Sequence, residues 1–279
     1  MPKRDLTGCR AMVTGASGGI GLEIVRSLAK FPVRFVLLAR REEALSAVAA
    51  ELRAADRDVE LVVGDVTDPA IRAAAVERAK TRWGGLDLLV NNAGVGGIGP
   101  FQKSSEARLR NILEVNFFAA VELIRSALPL LKRGRDPLIV NVSSVLGHRG
   151  IPFYTEYCAS KFALQGFSEA LRAELAADNV GLLVVSPGTT KTEFFDHVLG
   201  NKGKVPWAEG GGVSPAYVAA ATVRAIRNRR NEIIPSFKGK LLVGLNQVLP
   251  WVANWAMARY GRQAVGEPAN PPVDPDPAE

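Results

Sequence analysis

A hydroxyl, a phenol and an ammonium occur close together in the middle of the chain, as Ser144, Tyr157 and Lys161. Tyr157 and Lys161 are four residues apart, so on a helix their side chains share one face. Ser144 follows the apolar run 138–142, which has the pattern of a buried parallel strand, and open parallel sheets bind ligands beyond such strand ends. These three side chains are suited to moving a proton to or from an alcohol oxygen.

The phenol is a weak base at neutral pH, because its ordinary pKa is about 10. A nearby ammonium favours the phenolate, so we expect Lys161 to lower the pKa of Tyr157. A lowering of about 3 units corresponds to about 4 kcal/mol of differential stabilisation. Ser144 would hold the reacting oxygen beside the phenol. A surface tyrosine and a surface lysine with no catalytic role can have the same spacing. The motifs elsewhere in the chain must therefore distinguish between these two interpretations.

Composition excludes several classes of protein. The 279 residues, 47% of them hydrophobic, allow one large core. The two cysteines have no metal-ligand spacing and predict no disulfide framework, which favours a reducing compartment. With two histidines in the chain, we expect neither a metal site nor a histidine-based triad. No apolar signal segment precedes the first predicted strand, so we expect a cytoplasmic protein.

Predicted strands and helices alternate along the chain. Apolar runs predict strands at 10–14, 33–39, 59–63, 86–90, 138–142, 181–186 and 232–235. Helical patterns lie at 22–29, 42–55, 69–82, 104–131, 157–177 and 215–228. This alternation predicts an α/β fold with a Rossmann-type doubly wound parallel sheet of about seven strands, helices on both faces and a C-terminal helical extension.

A glycine-rich turn follows the first predicted strand and opens the first helix, which is the arrangement that a dinucleotide pyrophosphate requires. Glycines permit close approach of the backbone, and the helix N-terminus offers unpaired N–H groups and a positive dipole end. The predicted contacts from this turn are Gly15, Ser17, Gly19, Ile20 and Gly21.

The second predicted strand ends in Arg40 and Arg41, with no carboxylate at 37–41 to bind the ribose 2′-hydroxyl of NAD. Arginine forms forked, charge-assisted hydrogen bonds to phosphate. A cation at a helix start is slightly unfavourable, which argues against a purely solvated role. We therefore predict NADP(H) as the cofactor, with NADPH bound at least about tenfold more tightly than NADH. Asp65, after the third strand, is placed to meet an adenine amino group or to cap the next helix.

Together these motifs resemble the short-chain dehydrogenase/reductase family over roughly residues 8–236. In chain order they are Thr14-Gly15-x3-Gly19-x-Gly21, Asp65-Val66, Asn91-Asn92-Ala93-Gly94, Asn116, Ser144, Tyr157-x3-Lys161 and Pro187-Gly188. The resemblance implies an oxidoreductase in which Tyr157 is the general acid/base, Lys161 binds the nicotinamide ribose and lowers the phenol pKa, and Ser144 holds the carbonyl. Asn116 would anchor a water that relays protons from Lys161.

The resemblance also implies cofactor contacts on other elements. They are Asp65, Val66, Asn92, Ala93, Gly94, Tyr157, Lys161, Pro187, Gly188, Thr190 and Thr192. Two positions depart from the family pattern. Thr190 stands where Val or Ile is usual, which leaves its backbone contact alone. Gly18 stands where NADP-dependent members often carry Lys or Arg, so 2′-phosphate specificity would depend on Arg40 and Arg41.

We predict a catalytic domain at 1–236, an extension at 237–262 and a disordered tail at 263–279. Apolar residues and glycines at 193–213 predict a substrate lid within a loop at 189–213. The extension is uncharged from 241 to 258 and apolar at helical spacing. It is flanked by Lys238, Lys240, Arg259 and Arg262. Packing onto the lid or a sister subunit is the favoured interpretation, and peripheral membrane contact through 238–262 is the alternative.

The leading hypothesis is an NADP(H)-dependent oxidoreductase that interconverts a secondary alcohol and a ketone, on a hydrophobic substrate such as a steroid or lipid. The alternatives are a 3-oxoacyl-thioester reductase and a non-catalytic regulator that senses NADPH. The resemblance implies a homodimer or homotetramer. Nucleic acid is not an expected partner, because the basic residues concentrated at 200–262 adjoin apolar helices rather than interleaved aromatic residues.

Overall fold

Strands and helices alternate along the chain, as the apolar periodicity predicts. The computed structural model describes residues 2–192, 199–200 and 212–265. The strands are β1 (Arg10–Thr14), β2 (Arg34–Ala39), β3 (Val59–Val63), β4 (Leu88–Asn91), β5 (Gly97–Ile98), β6 (Leu138–Val142), β7 (Gly181–Val185), β8 (Leu199–Gly200) and β9 (Glu232–Ile233). The helices are α1 (Gly19–Leu28), α2 (Glu42–Ala54), α3 (Pro69–Trp83), α4 (Glu106–Leu113), α5 (Ala119–Leu131), α6 (Thr155–Glu174), α7 (Pro215–Arg227), α8 (Phe237–Val248) and α9 (Pro250–Val265).

In this part of the chain, the main sheet has seven strands in the order β3-β2-β1-β4-β6-β7-β9. All neighbouring pairs are parallel. The strand order changes direction between β1 and β4, which creates a crevice at the carboxyl ends of these two strands. The predicted Rossmann-type doubly wound sheet is confirmed.

Helices cover both faces of the sheet because the central strands are apolar on both sides. Val13 and Leu37 pack on one face, in a core shared with α1, α2 and α7. Met12 and Val36 pack on the other face, in a core shared with α3 and α5. Successive residues of β1 thus serve opposite cores, as the two-residue period of a strand requires.

Several predicted bounds differ from the structure. The predicted helix at 104–131 is α4 and α5, joined by a π-helical turn, Glu114–Phe118. The predicted helix at 157–177 is α6, which begins at Thr155 and ends in the 3-10 turn Leu175–Asp178. The last predicted strand keeps two residues, β9, before Pro235, which lacks the N–H that a ladder needs. The pair β5 and β8 was not predicted, because two residues carry no periodic pattern.

The C-terminal extension consists of α8 and α9, which meet at Leu249 and Pro250. Proline suits the first position of a helix and cannot continue the one before it. Arg149, in the loop after β6, donates from Nη1 to Asn246 Oδ1 at 2.9 Å and to Asn254 Oδ1 at 2.7 Å. One guanidinium therefore ties both helices to the loop after β6.

Helix α9 runs to Val265 and so includes the first three residues of the predicted tail, and the rest of that tail lies outside the described residues. Most of the predicted lid, at 193–198 and 201–211, also lies outside them. Within the described ranges, no helix combines the length and apolar character needed to cross a membrane.

Candidate active site

A cavity of about 960 Å³ lies at the carboxyl ends of the strands, over the switch point between β1 and β4. Most of the predicted site residues line it. They are Gly15, Ser17, Gly19, Ile20, Arg40, Arg41, Asp65, Val66, Asn92, Ala93, Gly94, Ser144, Tyr157, Lys161, Pro187, Gly188, Thr190 and Thr192. Gly21 and Asn116 lie outside this lining, and their surroundings are described below.

The glycine-rich turn approaches β4 closely. Gly15 and Gly19 have positive φ angles of 64° and 55°, which residues with a side chain rarely adopt. A Cβ at Gly15 would lie 2.7 Å from Asn92 Nδ2, and that amide donates to the Thr14 carbonyl at 3.1 Å. The turn is therefore held against β4 with its backbone facing the cavity.

Gly21 serves packing rather than the cavity. A Cβ there would overlap the Gly15 carbonyl oxygen and Asn92 Nδ2. Its small size lets α1 begin directly behind the turn, and its contact with a cofactor stays a prediction. The N-cap residue of α1, Gly18, is extended and provides no side-chain cap. The first N–H groups of this helix therefore lack a side-chain partner from the cap.

Ser144, Tyr157 and Lys161 converge, as their spacing predicts. Ser144 lies just after the end of β6, and its Oγ accepts a hydrogen bond from Leu146 N at 3.1 Å. Its hydroxyl is hydrogen-bonded to the Tyr157 phenol. Lys161, one turn further along α6, lies with Nζ 5.7 Å from the centre of the Tyr157 ring. All three are buried, and Lys161 Nζ donates to the Val142 carbonyl at 3.0 Å.

Burial determines the pKa values of the two titratable groups. It raises the pKa of Tyr157 above its ordinary value, against the opposing effect of the Ser144 hydrogen bond. It lowers the pKa of Lys161 to about 8. The direction for the phenol is opposite to our expectation from the Tyr-x-x-x-Lys spacing. The reason is that removal from water disfavours both charged forms, phenolate and ammonium.

Asn116 is buried in the π-helical turn, as its apolar neighbourhood indicates. Its Oδ1 accepts from Val95 N at 2.8 Å, and its Nδ2 donates to Val95 O and to Ser160 Oγ, both at 2.9 Å. A Cβ at Gly94 would lie 3.1 Å from Asn116 Oδ1 and 3.7 Å from Lys161 Nζ. The amide and the ammonium thus flank Gly94 closely, and the proton relay through a water stays a prediction.

The two arginines after β2 both line the cavity. Arg40 is 68% exposed and lies 3.7 Å from the Asp65 carboxylate. Arg41 donates from Nη2 to the Ser17 carbonyl at 3.2 Å, which draws it towards the glycine-rich turn. Asp65 Oδ1 also accepts from the Thr67 N–H at 2.9 Å. The cap of α3 is Asp68 instead, whose side chain accepts from Ala70 N, so the capping alternative for Asp65 is wrong.

The loop after β7 forms another wall of the cavity. Thr190, the residue that departs from the family pattern, donates from Oγ1 to the Gly188 carbonyl at 3.0 Å. The hydroxyl is thus occupied within its own loop. A Cβ at Gly188 would lie 2.7 Å from Ser236 Oγ, so the start of the extension packs directly on this loop.

Sequence reasoning missed part of the apolar lining. These residues are Leu146, Ile151, Tyr154, Phe237, Leu242 and Met257. Three of them come from α8 and α9, so the extension forms part of the cavity wall. The uncharged helical pattern could have indicated a buried face, but the sequence does not state against what that face packs. Tertiary packing places it over the site.

Comparisons with known proteins agree with this geometry. The short chain dehydrogenase family model matches residues 10–202. Ketoacyl reductase HetN of Nostoc is 33% identical over 88% of this chain and 86% of its own length. Human retinol dehydrogenase 8 is 38% identical over 73% of this chain and 65% of its own length.

Solved structures show the same fold. A short-chain dehydrogenase from Streptomyces avermitilis has a TM-score of 0.75 and 28% identity, covering 91% of this chain and 98% of its own. An alcohol dehydrogenase from Thermococcus sibiricus, solved with 5-hydroxy-NADP, has a TM-score of 0.72 and 27% identity, covering 81% and 95%. Family model, relatives and fold agree: the chain belongs to the short-chain dehydrogenase family of NAD(P)-using oxidoreductases.

Proposed function

We propose that the protein is an NADP(H)-dependent oxidoreductase that interconverts a secondary alcohol and a ketone on a hydrophobic substrate. The observation that carries this proposal is the buried trio in the cavity. A phenol hydrogen-bonded to Ser144, with the Lys161 ammonium 5.7 Å from its ring, is equipped to hold a substrate oxygen and exchange a proton with it.

The residues present fit a bound dinucleotide. Gly15 and Gly19 present backbone without side chains to the cavity, and the α1 N-terminus has no side-chain cap. Uncapped N–H groups and the helix dipole favour a pyrophosphate there. Asp65 and Val66 line the adenine end, while Pro187, Gly188, Thr190 and Thr192 line the end near Tyr157. When bound, the cofactor supplies the hydride or accepts it.

Two features support NADP(H) over NAD(H). Arg40 and Arg41 follow β2, at the position where an acidic residue would bind the ribose hydroxyl of NAD. Arg40 is mostly exposed, and its 3.7 Å separation from Asp65 is long for a charge-assisted hydrogen bond, so its guanidinium is available to a phosphate. The structural neighbour from Thermococcus sibiricus was solved with 5-hydroxy-NADP, which is consistent with this preference.

The side chains divide the proton chemistry between them. In ketone reduction, Tyr157 donates its proton to the developing alkoxide and Ser144 donates a hydrogen bond to the same oxygen. The raised pKa of Tyr157 suits this direction, because the free protein holds the phenol protonated. In alcohol oxidation the phenol must first ionise, and the Lys161 ammonium is the nearby charge that favours phenolate.

The apolar wall near Tyr157 supports a hydrophobic substrate. Leu146, Ile151, Leu242 and Met257 line this part of the cavity. A retinol dehydrogenase and a ketoacyl reductase are both among the relatives of the chain. A 3-oxoacyl-thioester reductase is therefore the second candidate, favoured by the similarity to HetN over 88% of the chain. We further propose a homodimer or homotetramer, supported by the exposed side chains of Phe118 and Phe162 around α5 and α6.

The test is a panel of hydrophobic ketones, steroid ketones and 3-oxoacyl thioesters with NADPH, followed by loss of the reduced nicotinamide absorbance. Tyr157→Phe should lose about 10²- to 10⁴-fold in kcat while NADPH affinity changes little, because it removes the proton donor alone. Tyr217→Phe is the control, since this tyrosine is exposed on α7, outside the cavity lining. NADPH binding by the wild type without turnover on any substrate would favour the regulator instead.

A further inference from the structure

The C-terminal extension presents an apolar surface to solvent, which we call the outer face. Its residues and their exposed fractions are Leu241 (63%), Val248 (77%), Leu249 (39%), Trp251 (69%) and Trp255 (60%). Large apolar side chains that are exposed in one segment mark an interaction surface, whereas scattered ones do not. The outer face is therefore a candidate interaction surface.

The inner side of the same helices explains why the large residues point outward. In the described part of these helices, the buried residues are Gly239, Val243 and Ala253. A Cβ at Gly239 would lie 2.8 Å from Val145 Cγ1, so this contact excludes anything larger than glycine. The Arg149 hydrogen bonds to Asn246 and Asn254 hold both helices in this orientation. Rotation to bury the tryptophans would break these contacts.

Cations flank the outer face in the sequence. Lys238, Lys240, Arg259 and Arg262 are exposed, and no acidic residue occurs from 233 to 266. The Arg259 guanidinium lies 5.8 Å from the centre of the Trp255 ring, so charge and aromatic surface occur together. Tryptophan at the depth of the headgroups and Lys or Arg beside it are the side chains that favour an anionic lipid surface.

We propose that the outer face of the extension docks on the surface of an anionic phospholipid membrane. A second copy of the chain is a poorer occupant, because a symmetric contact would bring the same four cations together with no acid from 233–266 to pair with them. Leu242 and Met257, on the same two helices, line the cavity. If the proposed function holds, docking thus places the apolar end of the active site at the bilayer, from which a hydrophobic substrate can enter.

The experiment is flotation of the purified full chain with two kinds of vesicle, phosphatidylcholine alone and phosphatidylcholine with about 30% phosphatidylserine. Wild type should float with the anionic vesicles and lose binding at high salt. Trp251→Gln with Trp255→Gln, and separately Lys240→Gln with Arg262→Gln, should each reduce binding at least about tenfold. Vesicle binding is measured without turnover, so the result is independent of the proposed enzymatic activity.

Two variants control for general loss of apolar surface or of charge. Val63→Gln removes an apolar side chain, 38% exposed, from β3 at the sheet edge opposite β9. Lys80→Gln with Arg110→Gln removes two exposed cations from α3 and α4. Both should bind like wild type. Equal binding by all variants, or no binding by wild type, overturns the proposal. So does a concentration-dependent dimer that the tryptophan variant abolishes without any vesicle binding, since this would assign the outer face to a second copy.

Discussion

At the scale of single residues, burial controls the chemistry more than spacing does. Tyr157 and Lys161 stand one turn apart, yet their desolvation raises the pKa of the phenol and lowers that of the ammonium. In the free protein the Tyr157 phenol is therefore protonated, and the Lys161 ammonium beside it loses its proton more readily than in water. The pKa of each group is thus displaced from its value in water, which is usual for sites adapted to proton transfer.

This arrangement predicts that Lys161→Met stabilises the free protein. Folding lowers the lysine pKa from about 10.4 to about 8, so the unfolded state binds more protons between these values. The burial penalty is complete below pH 8 and disappears as the pH rises past about 10. We expect the variant to gain about 1–3 kcal/mol in free energy of unfolding at pH 7, and to lose that gain near pH 10.

Urea denaturation of wild type and variant at both pH values measures this difference. The variant should also lose turnover, so stability and activity would move in opposite directions. A variant less stable than wild type at pH 7 would show that the ammonium is stabilised in the fold beyond its bond to the Val142 carbonyl.

Gly21 and Gly166 give a second prediction at this scale. Both are in helices, but a Cβ at Gly21 would overlap the Gly15 carbonyl, whereas a Cβ at Gly166 would meet nothing within 4 Å. Gly21→Ala should separate α1 from the turn and weaken NADPH binding by more than about tenfold. Gly166→Ala should instead stabilise α6 by about 0.5–1 kcal/mol. Cofactor titration and thermal unfolding of both variants provide the comparison, and equal behaviour would contradict it.

At the scale of elements, a buried ion pair joins α4 to the start of α6. Arg108 Nη2 lies 2.9 Å from Glu156 Oε1, and the two side chains are 5% and 1% exposed. Ser104 donates a further hydrogen bond to this carboxylate. Glu156 immediately precedes Tyr157, so the pair also sets the position of the catalytic helix.

We predict that Glu156→Gln destabilises the protein by about 3–5 kcal/mol, because it leaves the Arg108 charge buried without its counter-charge. The double variant Arg108→Met with Glu156→Leu should recover most of this loss, since neither charge then remains buried. Chemical denaturation of the two variants is the measurement. A double variant as unstable as the single one would show that packing around the pair matters more than charge.

At the scale of the whole molecule, the sheet brings distant segments to one cavity. The turn after β1, the arginines after β2, Asp65 after β3 and Tyr157 on α6 are separated by up to about 140 residues in sequence. They meet because parallel strands all end at the same edge of the sheet. A ligand bound at this edge contacts segments from several strands, so it should raise the free energy of unfolding of the whole sheet.

We predict that saturating NADPH raises the melting temperature more than the same concentration of NADH does. A ligand that binds only the folded state stabilises it in proportion to the logarithm of its concentration over Kd. A tenfold affinity difference corresponds to about 1.4 kcal/mol, or about 2–4 °C for a protein of this size. Arg40→Ala with Arg41→Ala should remove the difference. Equal shifts in the wild type would reject the NADP(H) preference.

The amino-acid sequence by itself determined the order of strands and helices, because apolar periodicity is a local property and the central strands are buried on both faces. It also identified the side chains that we propose carry the chemistry. The turn at Gly15, the hydroxyl of Ser144 and the pair Tyr157 and Lys161 were identified from types and intervals that a local segment contains in full.

The tertiary structure alone decided what surrounds those side chains. It placed Gly21 behind the turn, brought Arg40 to 3.7 Å from the Asp65 carboxylate, and added Leu242 from the extension to the cavity wall. It also reversed the expected direction of the phenol pKa. The physical reason is common to all four: desolvation, ion pairing and close packing depend on atoms that are far apart in sequence, so no local pattern of residues encodes them.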